Sequence, residues 1–415
     1  MIEIHFLGGC EEVGRSALIV DNGVEKFLLD YGIDVQNFQG PIKPDLNMDA
    51  VFLTHSHLDH CGMLPSLYKR GYTESVFATP PTLSLSSLLL RDSIKVQEKR
   101  DLMPYYLSHD IWKMEDAARF LEFRKKLILG NSIIEFYSSG HIPGSSSILL
   151  ETQNKRILYT GDIKFIDTKL MKGADTSYKD IDCVICESTY SYKNHPKREN
   201  LEKKLKEIVK ETINNDGIAL LPCFAVGRTQ ELLLILSELK IPIYLDGMGI
   251  EATRITLNYP SYIKNAKKLK TNFKNAKKVK RPTQRAKIIQ EPCIILTTAG
   301  MLNGGPVTYY IKKLYKKENC SLILTGYQVE GTAGRVLLDT GRYVNEGLDL
   351  KVKMRIEFLD FSAHTDHDHI VSFLEKVNPK KILLVHGPQT QKFAEELKNK
   401  GFNAYSPKNG EKIKI

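Results

Sequence analysis

No run of about 18 consecutive apolar residues occurs anywhere in the 415 residues, so no segment reads as a membrane span. The opening MIEIHFLGG carries Glu3 where a secretory leader would carry basic residues, and the chain reads as cytoplasmic. Paired cysteines are also missing. The seven present are odd in number and, Cys183 and Cys186 apart, scattered singly, which argues against a secreted disulfide framework. Cys183 and Cys186 lie in the apolar run IDCVICE. Residues three apart on a strand face opposite sides of a sheet, so these two read as buried thiols rather than a redox or zinc pair. Internal repeats and low-complexity linkers are absent too, and no stretch at either terminus is expected to form an appended domain. With 42% hydrophobic and 26% charged residues, the composition fits a soluble chain of two or three domains.

A further absence is local. Between Glu251 and Glu291 there is no acidic residue, while Arg254, Arg281, Arg285 and nine lysines from Lys264 to Lys287 fall in that interval. Without these twelve charges the chain is about neutral, with 47 basic residues against 49 acidic, so the formal charge of +10 is concentrated here. Two readings stand side by side: a solvated, mobile loop, or a surface for a polyanion.

Alternating or apolar strands are expected at IEIHFL, SALIV, KFLLD and DAVFLTH, then a mostly helical stretch over about 82–127, then strands IIEFYSS, SSILLE and RILYTGD. From about residue 200 the period changes. Leu201, Leu205, Ile208, Val209 and Ile213 make a helical stripe, followed by strand GIALLPCF, helix GRTQELLLILSEL and strand IPIYLD, an α/β insertion. The last segment resumes with KMRIEFLDFSAH and ends in strand KKILLVHG, helix TQKFAEELKNKG and a short strand.

The densest chemistry lies in FLTHSHLDHCG, which places His55, His57, Asp59 and His60 directly after an apolar run. One histidine at a strand end is ordinarily structural. His-x-His-x-Asp-His instead supplies four ligands that a loop can turn onto two metal centres a few Å apart, and imidazole with carboxylate suits zinc. Other expected strand ends supply His141 in SGHIPG, Asp162 in YTGD and His386 in LLVHG.

HSHLDH with Asp30, His141, Asp162 and His386 resembles the metallo-β-lactamase fold, and the insertion resembles that of the β-CASP nucleases. Glu187 in ICEST looks like that family's motif A, His364 in FSAHTD like motif B and His386 like motif C. PCFAVGRTQELLLIL, TTAGML and LTGYQVEGTAGRVLL look like the cleavage and polyadenylation endonuclease subunit and its archaeal relatives, among them the members without KH domains. The resemblance covers nearly the whole chain. It implies an α/β protein, a metallo-β-lactamase αββα sandwich over residues 1–189 and 349–415, with a β-CASP domain inserted over 190–348.

By that resemblance His55, His57 and His141 would hold one zinc ion, Asp59, His60 and His386 a second, and Asp162 would bridge them, with Asp30 behind the ligands. Asp59 and Asp162 thereby count in the catalytic set with His364, the natural general acid, and Glu187, the carboxylate that would keep it protonated. The implied activity is hydrolysis of single-stranded RNA in a cleft beside the inserted domain. Endonuclease and 5′-3′ exonuclease action, and assembly as a homodimer or with RNA-processing partners, stay open. Of the rivals, a DNA-processing β-CASP nuclease would ordinarily lack His386, a non-catalytic scaffold would have lost ligands, and a small-molecule thioester hydrolase would need neither Glu187 nor His364.

Weaker signals allow two readings each. Arg228 opens a helix and could meet phosphate or be an ordinary exposed arginine at a helix start; Lys267, Lys268, Lys277 and Lys278 could bind RNA or face solvent. Gly331 to Gly334 could cradle phosphate or turn the chain, although no P-loop lysine follows. Tyr309, Tyr310 and Tyr315 could stack bases or pack a helix.

Overall fold

The computed structural model describes all residues 1–415 and divides into two compact units. The first comprises Met1–Asp167, Gly173–Asn194 and His364–Ile415; the second comprises Thr168–Lys172 and His195–Ala363.

Two seven-stranded sheets build the first unit. One orders Lys412–Lys414, Glu3–Gly8, Ala17–Asp21, Lys26–Leu29, Ala50–Phe52, Val76–Ala78 and Ala118–Phe120; the other orders Ala404–Tyr405, Lys381–Val385, Cys183–Glu187, Lys155–Tyr159, Ser146–Thr152, Ser132–Ser138 and Lys126–Leu129. Strict alternation assigns each strand's two faces. Leu18, Val20, Phe27, Leu29 and Phe52 meet Ile157, Tyr159, Ile185, Leu383 and Val385 between the sheets. Ile19, Leu28 and Val51 turn outward to Leu64, Leu67, Leu90 and Ile111 of one helical layer. Leu158, Val184, Ile382 and Leu384 turn outward to Ile370, Leu374, Phe393 and Leu397 of the other. The result is an αββα sandwich. Cys183 enters the inter-sheet core and Cys186 the outer layer, and all seven cysteines are free and buried.

The second unit centres on a six-stranded parallel sheet in the order Lys277–Lys278, Ile243–Asp246, Cys293–Thr297, Ile218–Pro222, Ser321–Leu324 and Arg355–Phe358. Its central strands, IALLP and CIILT, are buried on both faces, as helix-covered parallel strands must be. Leu205, Leu232 and Leu269 cover one face, and Val307, Tyr310 and Leu337 the other.

Three expectations are corrected here. The stretch 82–127 is two helices, Pro80–Lys99 and Ser108–Ala117, followed by edge strands Ala118–Phe120 and Lys126–Leu129. In KLIL, Leu127 and Leu129 are half-buried while Lys126 and Ile128 are exposed, a period of two. Residues 349–363 stay with the second unit rather than returning to the core, because Arg355–Phe358 pairs in parallel with Ser321–Leu324. The acid-free stretch is not a loop: it forms helix Ala266–Asn275, strand Lys277–Lys278 and helix Arg285–Ile288, pinned by buried Leu269, Val279 and Ile288. No helix is long and apolar enough to cross a membrane.

Phe52 joins the two sheets of the sandwich. Its ring lies 5.6 Å from Phe27, 5.4 Å from Phe77 and 6.2 Å from Phe136. Phe52→Ala leaves a cavity there and is expected to cost about 3–5 kcal/mol, measured by chemical denaturation.

Candidate metal centre

Parallel pairing brings the functional strand ends to one edge of the first unit. Asp30 follows Lys26–Leu29 and the histidine box follows Ala50–Phe52 in one sheet; Asp162 follows Lys155–Tyr159, Glu187 ends Cys183–Glu187, and His386 follows Lys381–Val385 in the other. His141 enters from the loop after Ser132–Ser138. His57 precedes the helical turn Leu58–Cys61, which presents Asp59 and His60.

Three groups of ligand atoms result: His55, His57, His141 and Asp162; Asp59, His60, Asp162 and His386; and Asp162, Glu187, His364 and His386. Within each, the ligand atoms lie within 4.8 Å of one another, and Asp162 belongs to all three. Its Oδ2 lies 3.3 Å from His55 Nε2 and 3.4 Å from His141 Nε2; its Oδ1 lies 3.2 Å from His60 Nε2 and 3.3 Å from His386 Nδ1. His386 Nε2 lies 3.3 Å from Asp59 Oδ2, and His141 Nε2 3.1 Å from His57 Nδ1. Two donors bound to zinc at 2.0–2.1 Å in a tetrahedron stand about 3.3–3.4 Å apart. His55 Nε2 and Asp162 Oδ1 are buried without a hydrogen-bond partner, which marks them as awaiting one. The first two groups fit a metal ion in donor type, spacing and unmet bonding.

Hydroxyls and carboxylates behind the ligands orient them. Asp30 Oδ2 accepts from His60 Nδ1 at 2.7 Å, Tyr159 Oη at 2.9 Å and Thr54 Oγ1 at 2.8 Å, while its Oδ1 accepts from the Thr54 amide at 2.7 Å. With Nδ1 committed to Asp30, His60 turns Nε2 toward Asp162. Thr54 Oγ1 also stands 3.0 Å from His55 Nδ1, and Thr189 Oγ1 3.1 Å from His386 Nδ1. Sequence reasoning named Asp30 but missed Thr54, Tyr159 and Thr189, whose only signal is position beside a motif residue.

Burial holds His55 and His141 below the usual imidazole range and pushes His57 down to about 3, favouring the neutral form a metal requires. Burial works against ionised Asp162 as well, but the surrounding histidines, His386 and His60 foremost, outweigh it and keep the carboxyl well below its ordinary value. His364 differs. Burial would lower it, yet Glu187 and then Asp162 prevail and hold it up at about 9. His364 Nδ1 is 3.1 Å from each Glu187 oxygen and 3.9 Å from Asp162 Oδ2. Glu187 is fixed by the Ile163 amide, which donates to Oε1 at 2.7 Å.

The weaker candidates separate. Arg228 is buried against Glu231 at 3.1 Å, shares that carboxylate with Arg198, and its guanidinium is lowered to about 10 by burial. Lys268 pairs with Glu238 at 2.8 Å; Lys278 donates to the Phe273 carbonyl and lies over the Phe273 ring. Lys267 and Lys277 are exposed, Lys277 beside the Tyr244 ring. Thr332 caps helix Ala333–Thr340, so Gly331 to Gly334 turn the chain into that helix. Tyr310 is buried and donates to Asp246 at 2.8 Å, as a packing residue does.

Three family models match in succession: a metallo-β-lactamase superfamily domain over 12–186, a β-CASP domain over 229–337, and a Zn-dependent metallo-hydrolase RNA specificity domain over 349–407. Probable RNase MJ4 of Methanocaldococcus jannaschii is 40% identical over 430 residues, covering 100% of both chains. The chain belongs to the β-CASP family of the metallo-β-lactamase superfamily. An RNase J-like protein of the same organism is 35% identical, with 94% of each chain covered. A solved structure of a protein of unknown function from Enterococcus faecalis V583 shares the fold, with a TM-score of 0.68 over 99% of both chains at 16% identity. As a β-CASP enzyme the chain is a metal-dependent hydrolase.

Gly32 lets this β-CASP centre close. A Cβ there would stand 1.7 Å from the Asp59 carbonyl oxygen, at the crossing where the Tyr31 amide meets the His60 carbonyl at 2.8 Å and the Ile33 amide the Leu58 carbonyl at 2.9 Å. Gly32→Ala must therefore displace the loop bearing Asp59 and His60. Elemental analysis of the purified variant is expected to show reduced metal content.

Proposed function

We infer that this chain is a ribonuclease that hydrolyses phosphodiester bonds of single-stranded RNA with two zinc ions. The observation that carries the reading is the sharing of Asp162 between two ligand groups and a third holding His364 and Glu187, an arrangement that would let two metal ions and an acid–base pair act around one carboxylate. The RNA specificity domain over 349–407 and the RNase relatives agree with it.

His55, His57 and His141 would hold one ion and Asp59, His60 and His386 the other, with Asp162 between them and Asp30 behind His60. Bound there, the ions would lower the pKa of water for attack on phosphorus and neutralise charge on the phosphate oxygens. The rest belongs to the protein. As the oxygen of water bonds to phosphorus and the bond to the leaving ribose oxygen breaks, His364 gives that oxygen its proton and afterwards regains one from solvent. Glu187 keeps His364 protonated at neutral pH and aims its ring. Whether cuts are internal or proceed from the 5′ end is decided by RNA labelled at each end in turn.

Elemental analysis of purified protein is expected to give close to two zinc ions per chain, falling in Asp162→Ala. His364→Ala is expected to keep both ions while slowing cleavage by roughly 10²- to 10⁴-fold. Loss of zinc from that variant would make His364 a ligand and remove it as the acid. The proton is present below the raised pKa and lost as pH rises through about 9, so the rate should fall along that alkaline limb. Glu187→Gln removes the supporting carboxylate and should move the limb to lower pH.

Among the insertion's cations, exposed Lys267 and Lys277 fit phosphate binding better than Lys268, which is paired with Glu238, and half-buried Lys278, which folds back on Phe273; Lys277 meets the Tyr244 hydroxyl and ring, which leave its charge uncompensated. Replacing Lys267 and Lys277 by glutamine is expected to weaken RNA binding across sequences and to reduce the salt slope by about 0.7 for each phosphate that is no longer neutralised. An unchanged slope would make them a solvated face.

A further inference from the structure

Lys164 is a buried cation that the chemistry above does not use. It follows Asp162 by two residues and is 5% exposed. Its Nζ donates to the main-chain carbonyl of His364 at 2.8 Å, a bond across 200 residues of sequence. Its own amide donates to the Ser139 carbonyl at 2.8 Å, two residues before His141, and its carbonyl accepts from the Ala174 amide at 2.7 Å. One residue thus ties together the loops carrying His141, Asp162 and His364.

His364 is where such a tie is needed. It is the first residue of the first unit after the insertion and lies in no regular element, between strand Arg355–Phe358 of the second unit and helix His367–Val377. Its neighbour's amide, on Thr365, donates to the Ile163 carbonyl at 2.7 Å, while the Ile163 amide donates to Glu187. The Thr365 amide and the His364 carbonyl belong to one planar peptide unit, which is therefore held from both sides, by the Ile163 carbonyl and by Lys164, and with it the orientation of the Cα from which the imidazole hangs. An ammonium forms a shorter and stronger bond to a carbonyl than a neutral donor does.

We infer that Lys164 is a positioning residue for proton delivery, fixing the backbone of His364 so that its imidazole stands between Glu187 and the leaving oxygen. The inference rests on His364 being the general acid. A displacement of the order of 1 Å at a reacting group costs up to about 10²-fold in rate, so Lys164→Met is expected to slow single-turnover cleavage by roughly 10- to 10²-fold. Its zinc content and KM for RNA are expected to be unchanged, and Lys164→Arg should recover part of the rate.

The decisive measurement is a double-mutant cycle with His364→Ala. If Lys164 acts through His364, Lys164→Met slows the parent enzyme but leaves the His364→Ala enzyme no slower. Equal slowing in both backgrounds, or loss of zinc, would overturn the assignment. Should Lys164→Met not fold, Lys164→Gln retains a donor without the charge and carries the same cycle. The underlying reading fails separately, if His364→Ala alone cleaves at the parent rate.

Discussion

A carboxylate at 1% exposure with four imidazoles 3.2–3.4 Å from its two oxygens is the constraint on which the rest of this structure depends. Buried ionised groups are costly unless paired, and Asp162 stands at the long end of hydrogen-bond range from these rings. The arrangement makes sense as a cage for cations, with the donors pressed together by the surrounding fold. Asp30, itself held by Thr54 and Tyr159, aims His60, while Thr54 also meets His55 and Thr189 meets His386. Two of the residues involved, Asp30 and His386, adopt left-handed backbone conformations, with φ of 57° and 51°. Each costs roughly 1–2 kcal/mol in a residue that is not glycine. That strain is held at the site by sheets whose cores lie elsewhere.

How much of this could be read from residues alone follows from locality. His55, His57, Asp59 and His60 are contiguous, so their spacing states their purpose. His141, Asp162 and His386 each end an apolar run, and a strand end carrying a ligand-type residue is visible without knowing the strand's neighbours. Thr54, Tyr159 and Thr189 are ordinary residue types whose bonds span up to 197 residues, and only their closeness to a motif residue sets them apart. Arg355–Phe358 alternates like a strand of either unit, so its pairing with Ser321–Leu324 is a tertiary fact that the pattern does not contain.

The basic stretch teaches a different lesson. A dozen charges with no acid among them read equally as a mobile loop or a binding face, yet the folded segment divides them by individual fate. Lys268 meets Glu238, Arg254 meets Glu251 and Arg285 meets Asp246, all carboxylates outside the acid-free interval. Lys278 folds back on Phe273. Counting the cations therefore overstates what is available to a partner, because Lys268 and Arg285 are paired with carboxylates distant in sequence and Arg254 with the nearby Glu251. The apolar anchors Leu269, Val279 and Ile288, hidden among the lysines, are what make the segment a folded surface.

The order of the ligands along the chain has a consequence in time. Six of the seven metal-binding candidates lie before residue 163, while His386 follows the whole insertion and enters on a strand that pairs with Cys183–Glu187. His364 likewise arrives only after residue 363. A growing polypeptide emerges N-terminus first at about 5–20 residues per second, so the histidine box exists for many seconds before the group around Asp59 gains His386 or His364 joins Glu187. With His386 as a ligand and His364 as the proton donor, as proposed above, the nascent chain would lack a complete hydrolytic centre for that interval, while still attached to a ribosome and to its own message. Their late place in the chain would then delay the cutting activity until the second unit has been synthesised.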